Sequence, residues 1–236
     1  MRGGLRRIAD ALFPGGENPH GELPALLIVL TLVSGLVDAV SFLGLGRVFV
    51  ANMTGNVAFL GFALAGDNQL AVWAPPLALA AFAGGAWSAG RLTGLLADAR
   101  REFVILTVAH AFLVAAALAL AQLAGHREPV VQAVLIALLA WGMGLQNASV
   151  RRAGVPDMTT TVLTRTITGL IVDPPGRAAR RRQAVSVLTL LAGALAGAAL
   201  NLTVGPVPAL AVALVLLVLV AVTTPRTPGP PAPAGT

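Results

Sequence analysis

The sequence predicts an all-α protein that crosses a membrane several times. Hydrophobic residues make up 56% of the chain and charged residues only 11%, whereas a soluble domain carries roughly 25% charged residues. Several apolar runs are long enough to cross a hydrocarbon core of roughly 30 Å as helices. Two shorter runs, 50–66 and 158–172, carry polar residues near their N-terminal ends. Together these features indicate a polytopic membrane protein with two irregular segments.

Six apolar runs are predicted to be transmembrane helices. They are residues 24–45, 73–96, 103–124, 129–150, 184–204 and 207–223. Residues 1–23 are polar and precede an apolar run that lacks a small-residue cleavage site, which predicts a cytoplasmic leader rather than a signal peptide. Residues 224–236 are rich in Pro and Gly, and a segment of this composition is expected to be disordered.

The two short runs decide the topology. If both cross, the chain has eight spans in a 4+4 arrangement, and Arg100, Arg101, Arg151 and Arg152 lie outside. Arginine-rich loops normally stay in the cytoplasm. If neither crosses, six spans remain, those arginines lie inside with the arginines of the leader, and both termini are cytoplasmic. We therefore favour six transmembrane helices plus two re-entrant segments, and eight spans is the alternative.

The two halves of the chain share a short sequence pattern. G-L-V-D-A at 35–39 aligns with G-L-Q-N-A at 144–148, which pairs Asp38 with Asn147. When the connector that follows is shortened, N-M-T in the first half also aligns with D-M-T in the second. Each half then consists of a span, a short polar segment, a glycine-rich span and a further span.

This pattern predicts two inverted repeats, residues 24–124 and 129–223. Three crossings in each half turn the second half upside down relative to the first, as in many transporters. Paired short segments at matching positions indicate a binding site near the middle of the membrane. The G-x-x-x-G pairs at 90–94 and 193–197 predict close helix packing.

Asp38 lies within the first predicted span, where an ionised carboxylate costs several kcal/mol unless it is paired, hydrated or protonated. One interpretation makes Asp38 a proton or cation site, or the anchor of a polar solute, with Asn147 opposite it. The other makes Asp38 a cap for the irregular backbone that follows, because such backbone needs hydrogen-bond partners at membrane depth. The sequence leaves both interpretations open.

The two short segments begin with side chains that are common helix N-caps. They are Asn52, Thr54 and Asn56 in the first segment and Asp157, Thr159, Thr160 and Thr161 in the second. Capping explains some of them. The functional alternative is that two helix N-termini point at one cavity and favour an anionic or strongly dipolar ligand. Arg165 in the second segment either faces water or an acid in that cavity or snorkels to the cytoplasmic interface.

The sequence carries no signature of an enzyme or of a cofactor site. Cysteine is absent, which removes thiolate metal ligands and thiol nucleophiles. No His, Asp and Glu cluster has metal spacing, and no G-x-S-x-G is present. We therefore expect a protein that is not an enzyme and binds neither metal nor cofactor. The formal charge of +6 comes from arginines beside apolar runs, which indicates membrane orientation rather than nucleic-acid binding.

Three motifs carry a family resemblance. They are G-x-V-D-A-x-S-F-L-x-L-G-x-V-F-V-A-N-M-T-G-N at 35–56, Q-N-A-S-V-R-R at 146–152 and T-T-T-V-L-T at 159–164. The chain resembles the YoaK family in these motifs, and the resemblance covers residues 24–223. It implies a multi-spanning protein of the bacterial plasma (inner) membrane, built around a domain of unknown function, and it implies no substrate. Arg165 departs from the small or apolar residue expected there.

The leading functional hypothesis is a secondary transporter or channel-like permease for a small polar or charged solute, with Asp38 and the two short segments at its centre. The alternative is a non-transporting membrane scaffold or sensor, whose polar groups only satisfy broken helices. A membrane enzyme ranks third, because a nucleophile and base pair is lacking. The expected partners are the lipid bilayer and a small solute, and the Gly-rich helices leave room for a homo-oligomer.

Overall fold

The computed structural model describes residues 2–13, 18–67, 70–93, 98–156, 158, 160, 168 and 176–224. Within these residues the chain forms eight helices and no strand. The helices are α1 (Arg2–Leu12), α2 (Leu23–Gly44), α3 (Met53–Leu64), α4 (Ala74–Thr93), α5 (Ala99–Ala124), α6 (Pro129–Ala153), α7 (Arg177–Thr203) and α8 (Pro206–Thr223). The fold is therefore all-α, as the composition predicts. The predicted leader contains α1, and the tail from 225 onward lies outside the described residues.

Each of the six predicted spans corresponds to one long helix, α2 and α4 to α8. The largest boundary errors are at α5 and α7, which begin at Ala99 and Arg177, several residues before the predicted starts. Both helices start in charged residues that a search for apolar runs leaves out. At α5 this extension is capped, since the N–H of Arg100 donates to Asp98 Oδ1 at 2.9 Å. The first short run forms α3, and most of the second lies outside the described residues.

Five helices, α2, α5, α6, α7 and α8, are long and apolar enough to cross a membrane. α4 has 20 residues but is not among them, because Arg91, Pro75, Pro76 and several glycines lower its mean hydropathy. α3 has 12 residues, about 18 Å of helix against a hydrocarbon core of roughly 30 Å. Five of the six predicted spans therefore meet the requirements for a crossing by length and composition, and α4 does not.

The upper end of the bundle is defined here by the C-terminus of α2. Gly46, just after α2, lies beside Ala74 at the start of α4 and Gln132 in the first turn of α6. Asn201, near the end of α7, lies beside Gly44, the last residue of α2. The C-termini of α2 and α7 and the N-termini of α4 and α6 therefore gather at this end.

The opposite, lower end holds the other termini of these helices. Arg152 at the end of α6 forms an ion pair with the buried Glu102 near the start of α5, with Nε and Oε2 3.0 Å apart. Arg182 near the start of α7 donates to the carbonyl of Leu12 in α1 at 3.3 Å and stacks over Phe13. Consequently α2, α5 and α7 run from the lower end to the upper end, and α4 and α6 run back.

Small residues bring the parallel helices α2 and α7 into backbone contact. Gly193 of α7 lies against the backbone of Leu32, and Gly197 one turn later lies against Leu36. Glycine at such positions lets two helix backbones approach closely. The predicted packing role of the pair at 193–197 is confirmed. Gly90 has none of the described residues within 4 Å of a Cβ position. Gly94 lies outside the described residues, so the packing role of the pair at 90–94 stays a prediction.

The core lies between α2, α5, α6 and α8. Its leucine side chains are at most 1% exposed at four positions: Leu30 and Leu36 of α2, Leu139 of α6 and Leu217 of α8. α7 differs from these helices, since it packs on α2 with its glycines and leaves a row of leucines exposed on its other face. Such a face suits lipid, whose chains are as apolar as leucine.

Candidate functional site

Asp38 fastens the loop that follows α2. The backbone N–H groups of Val50 and Ala51 donate to its Oδ1 atom at 2.9 and 2.7 Å. The loop turns sharply just before these residues, with left-handed backbone at Gly46 (φ 100°) and Arg47 (φ 56°). Asp38 therefore satisfies irregular backbone beside a helix, which is the capping interpretation that the sequence left open.

Asn56 holds the same loop at a second point. Its Oδ1 atom accepts from the N–H of Phe49 at 2.9 Å, and its Nδ2 atom donates to the carbonyl of Phe49 at 2.6 Å. The side chain is completely buried. The acceptor oxygen and the donor nitrogen of the Asn56 amide are therefore both bonded to Phe49. Asn56 does not line the upper or the lower cavity, which are described below.

Asn52 and Thr54 lie where the loop enters α3. Asn52 is the N-cap of α3, and its Oδ1 atom accepts from the N–H of Gly55 at a long 3.4 Å. Both side chains are exposed and line the larger cavity of the protein. The predicted N-terminus of a short helix thus faces a cavity in the first half of the chain.

The larger cavity, called the upper cavity below, has a volume of about 830 Å³ and lies toward the upper end. Its walls come from α2, the loop, α3, α4, α6 and α7. The lining residues with polar side chains are Asp38, Asn52, Thr54 and Asn147, and the aromatic ones are Phe42, Phe49 and Phe82. The rest of the described lining is apolar or glycine, so a few polar groups face an otherwise apolar space.

The second cavity, the lower cavity, has a volume of about 610 Å³ and extends toward the lower end. Its charged side chain in the described lining is Arg151, at the end of α6. Thr160 also lines it, is buried, and has no hydrogen-bond partner for its Oγ1 atom among the described residues. A buried hydroxyl without a partner is unusual in native structures, and here it faces a space that a polar group can enter.

Phe82 of α4 and Asn147 of α6 line both cavities. The two spaces therefore approach the same two side chains from opposite ends of the bundle. The Nδ2 atom of Asn147 donates to the carbonyl of Met143 one turn earlier at 3.0 Å. Because Asp38 also lines the upper cavity, the aligned residues Asp38 and Asn147 line one cavity.

Five of the predicted site residues line a cavity, and a sixth bonds the loop beside the upper cavity. Those at a cavity are Asp38, Asn52, Thr54, Asn147 and Thr160, and Asn56 lies beside the upper cavity. The remaining predicted site residues, Asp157, Thr159, Thr161 and Arg165, lie outside the described residues. Among the residues that the structure describes, no three His, Asp or Glu side chains gather as metal ligands would.

Sequence reasoning missed Gln146 and Ser34. Gln146 of α6 is buried, and its Nε2 atom donates to Ser34 Oγ at 2.9 Å and to the carbonyl of Leu30 at 3.3 Å. This bond joins α6 to α2 next to Asn147. The signal was present, because an amide and a hydroxyl inside predicted spans each need a partner, but the sequence does not say that they are partners of each other.

The comparisons with known proteins agree with this architecture. A family model described as "Protein of unknown function (DUF1275)" matches residues 26–223. The chain belongs to this family. UPF0700 transmembrane protein YoaK of Bacillus subtilis (strain 168) is 34% identical over 158 residues, which cover 67% of this chain and 70% of that protein. The resemblance to the YoaK family is therefore confirmed, and the chain is an integral, multi-pass membrane protein. No solved structure matches it.

Proposed function

We propose that the chain is a permease of the bacterial plasma membrane that carries a small polar or charged solute. The observation that carries this proposal is that two cavities, one from each end of the bundle, end on Asn147 and Phe82. Transporters built from inverted repeats bind solutes near the midplane, where the repeats meet, and open to each side in turn. Such alternating access needs a space on each side of a central site, and the two cavities on either side of Phe82 and Asn147 provide it.

Paired glycine contacts support the two inverted repeats. Gly35 of α2 packs against the backbone of α7, and Gly144, its counterpart on α6, packs against the backbone of α4. In the reverse direction, Gly193 of α7 meets the backbone of α2, and Gly85 of α4 meets the backbone of α6. The alignment that pairs Gly35 with Gly144 therefore also pairs the helix contacts of the two halves.

The pattern of helix neighbours supports the same repeat. α2 packs against α7 and α8, α6 packs against α4 and α5, and α5 packs against α8. Exchanging α2 with α6, α4 with α7 and α5 with α8 reproduces this set of pairs. A twofold axis that relates the two halves would produce this exchange symmetry. Two unrelated sets of three helices would have no reason to show it.

Six crossings with both termini in the cytoplasm fit the helix directions and the arginines. The six long helices alternate between the two ends of the bundle, and α3 is too short for a full crossing. Arg100, Arg101, Arg151, Arg152 and Arg182 lie near helix termini at the lower end, and Arg47 and Arg127 lie in connections at the upper end. The positive-inside rule then assigns the lower end to the cytoplasm.

A scaffold or sensor is the second candidate, and the bonds of Asp38 favour it. The carboxylate accepts from Val50 and Ala51, so its presence in the span is accounted for without any solute. A scaffold of this kind has no path between its two cavities, however. The two candidates therefore differ at Phe82, which lines both cavities: in a permease its ring lies on the solute path, and in a scaffold it does not.

The proposal is tested by solute flux into liposomes that contain the purified chain. Stopped-flow light scattering after an osmotic step measures the entry of ammonium salts, amino acids, polyols and carboxylates. We expect at least one class to enter faster than into protein-free liposomes. Phe82→Ala removes the ring between the cavities and should increase passive permeation. Phe112→Ala is the matched control, because Phe112 is 73% exposed on the outer face of α5.

The permease proposal is overturned if no class enters faster than into protein-free liposomes and Phe82→Ala permeates no faster than Phe112→Ala. Equal permeation through both variants would mean that the cavities are separate pockets. The scaffold candidate predicts this outcome.

A further inference from the structure

The upper cavity is lined by a carboxyl group that no basic residue of the described lining accompanies. Asp38 is the one charged side chain among the described lining residues, and no Arg, Lys or His is found with it. Arg151 lines the lower cavity and not the upper one. A carboxylate at membrane depth is stable when it is paired, hydrated or protonated. The loop N–H groups that Asp38 holds are neutral donors, so a bound cation would add a counter-charge that the described lining does not supply.

Asp38 retains capacity for a ligand after it has fastened the loop. Val50 and Ala51 both donate to Oδ1, and the N–H of Asn52 is also directed at the carboxylate. A carboxylate offers about four acceptor positions. The side chain is half-buried at the wall of the cavity, so a donor group inside the cavity can use the remaining position.

Aromatic rings line the same cavity. Phe42 and Phe49 are stacked, with ring centroids 5.0 Å apart and an angle of 17° between the ring planes, and Phe82 contributes a third ring to the lining. The face of an aromatic ring attracts a cation that lies within about 6 Å of its centroid. A carboxylate beside such rings matches a positively charged group on an apolar body.

We propose that the upper cavity binds a small organic ammonium ion, with its nitrogen at Asp38 and its carbon groups against Phe42 and Phe49. The side-chain oxygens of Asn52 and Thr54 line the same wall and suit the N–H groups of a primary ammonium. The inference rests on the proposed function in so far as this ion is the solute that the permease carries.

The size and composition of the cavity favour an organic ion over an inorganic one. Its volume of about 830 Å³ lies within the range of small-molecule sites, roughly 300–1,000 Å³. A metal ion would leave most of that volume and its apolar wall without contacts, and one carboxylate provides few of the oxygen ligands that such ions take. An anion would meet Asp38 without a basic residue from the described lining beside it.

The test is ligand binding to the purified full chain in detergent. The probes are tetraethylammonium and hexylammonium, with sodium and hexanoate as the inorganic and anionic comparisons. Thermal unfolding and tryptophan fluorescence both report binding. Asp38→Asn retains an oxygen that the loop N–H groups can use. Asp67→Asn is its matched control, since it makes the same charge change at an exposed position in the loop after α3.

We expect one or both ammonium probes to bind the unaltered chain and sodium and hexanoate to bind far more weakly. Asp38→Asn should weaken ammonium binding roughly tenfold or more, because a charged hydrogen-bond partner is lost, and Asp67→Asn should leave it unchanged. Phe42→Leu should weaken it roughly 2- to 30-fold. This second variant keeps Asp38 and the loop, so it remains informative if Asp38→Asn does not fold.

The inference is overturned if neither probe binds, if hexanoate binds more tightly than hexylammonium, or if a folded Asp38→Asn binds as well as Asp67→Asn. Ammonium binding that depends on Asp38, without flux of any solute, supports the site and contradicts the permease. Flux of another solute class without ammonium binding supports the permease and contradicts the site.

Discussion

Asp38 and Asn56 fix the loop between α2 and α3 at adjacent residues. Asp38 holds the N–H groups of Val50 and Ala51, and Asn56 holds both backbone groups of Phe49. At membrane depth such backbone must find partners within the protein. The loop therefore keeps a defined path, and that path presents Phe49 and the start of α3 to the upper cavity.

Asn56→Ala is predicted to destabilise the protein far more than Asn52→Ala. The first change leaves the N–H and the carbonyl of Phe49 unpaired in a buried site, at about 1–3 kcal/mol for each group. The second removes one 3.4 Å bond at an exposed N-cap, worth about 1 kcal/mol or less. Thermal unfolding of both variants in one detergent measures the difference. Equal losses would show that Asn56 is not a structural clamp.

At the scale of single residues, sequence reasoning identified the polar positions but could not assign their tasks. Asp38, one of these positions, both caps the loop and lines the upper cavity. Asn56 was grouped with Asn52, although one is completely buried and the other exposed. The difference depends on the path of the loop, which is set by neighbours far along the chain and leaves no local pattern.

Glycine has different roles in different helices. A Cβ atom at Gly193 would meet the carbonyl oxygen of Leu32 and would lie 3.1 Å from its carbonyl carbon, whereas a Cβ at Gly90 would meet none of the described residues within 4 Å. The sequence motif is the same at both places. A motif of small residues indicates that a close approach is allowed, and it does not say which helix makes the approach or whether any does.

Gly193→Ala is predicted to destabilise the bundle, and Gly90→Ala is predicted to be neutral or stabilising. The new methyl at 193 clashes with backbone, which cannot rotate away, and overpacking of this kind typically costs about 1–3 kcal/mol. At 90 the methyl enters open space, and alanine is the better helix former by roughly 1 kcal/mol. Thermal unfolding of the two variants tests this. A stable Gly193→Ala would mean that α2 and α7 are not in backbone contact.

α1 is attached to the bundle by a small cluster at the lower end. The guanidinium of Arg182 lies 4.6 Å from the centre of the Phe13 ring, and the ring of His20 lies 5.9 Å from that of Phe13. Partial burial lowers the pKa of His20 from its usual 6.5, and the nearby charge of Arg182 lowers it further. Docking of α1 therefore favours the neutral form of His20 over the protonated form.

Docking of α1 is predicted to weaken as the pH falls below about 6.5. Undocked His20 binds a proton near its ordinary pKa of roughly 6.5, and docked His20 does so only at lower pH, so acid favours the undocked state. Hydrogen exchange of the α1 amides at pH 7.5 and 5.5 measures the effect. His20→Gln should remove it. The same pH dependence in His20→Gln, or stronger protection at pH 5.5, would contradict this account.

At the scale of the whole molecule, apolar runs predicted the six long helices well, because hydrocarbon thickness and burial act on every span in the same way. They also predicted a span at α4, which is not apolar enough to meet the requirement for a crossing. The sequence predicted one central cavity, but it could not predict that two cavities form. They arise where α2 packs on α7 and α4 on α6, and hydropathy does not determine which helices become neighbours.

The central claim is that the two cavities meet at Asn147, and chemical labelling tests it directly. The native chain has no cysteine, so Thr54→Cys, Asn147→Cys and Arg151→Cys each introduce a single thiol. A membrane-impermeant maleimide is added to right-side-out and to inverted vesicles. The account predicts that position 54 reacts only from the outer face, position 151 only from the cytoplasmic face, and position 147 from both. Reaction of position 147 from one face alone, or from neither, would contradict it.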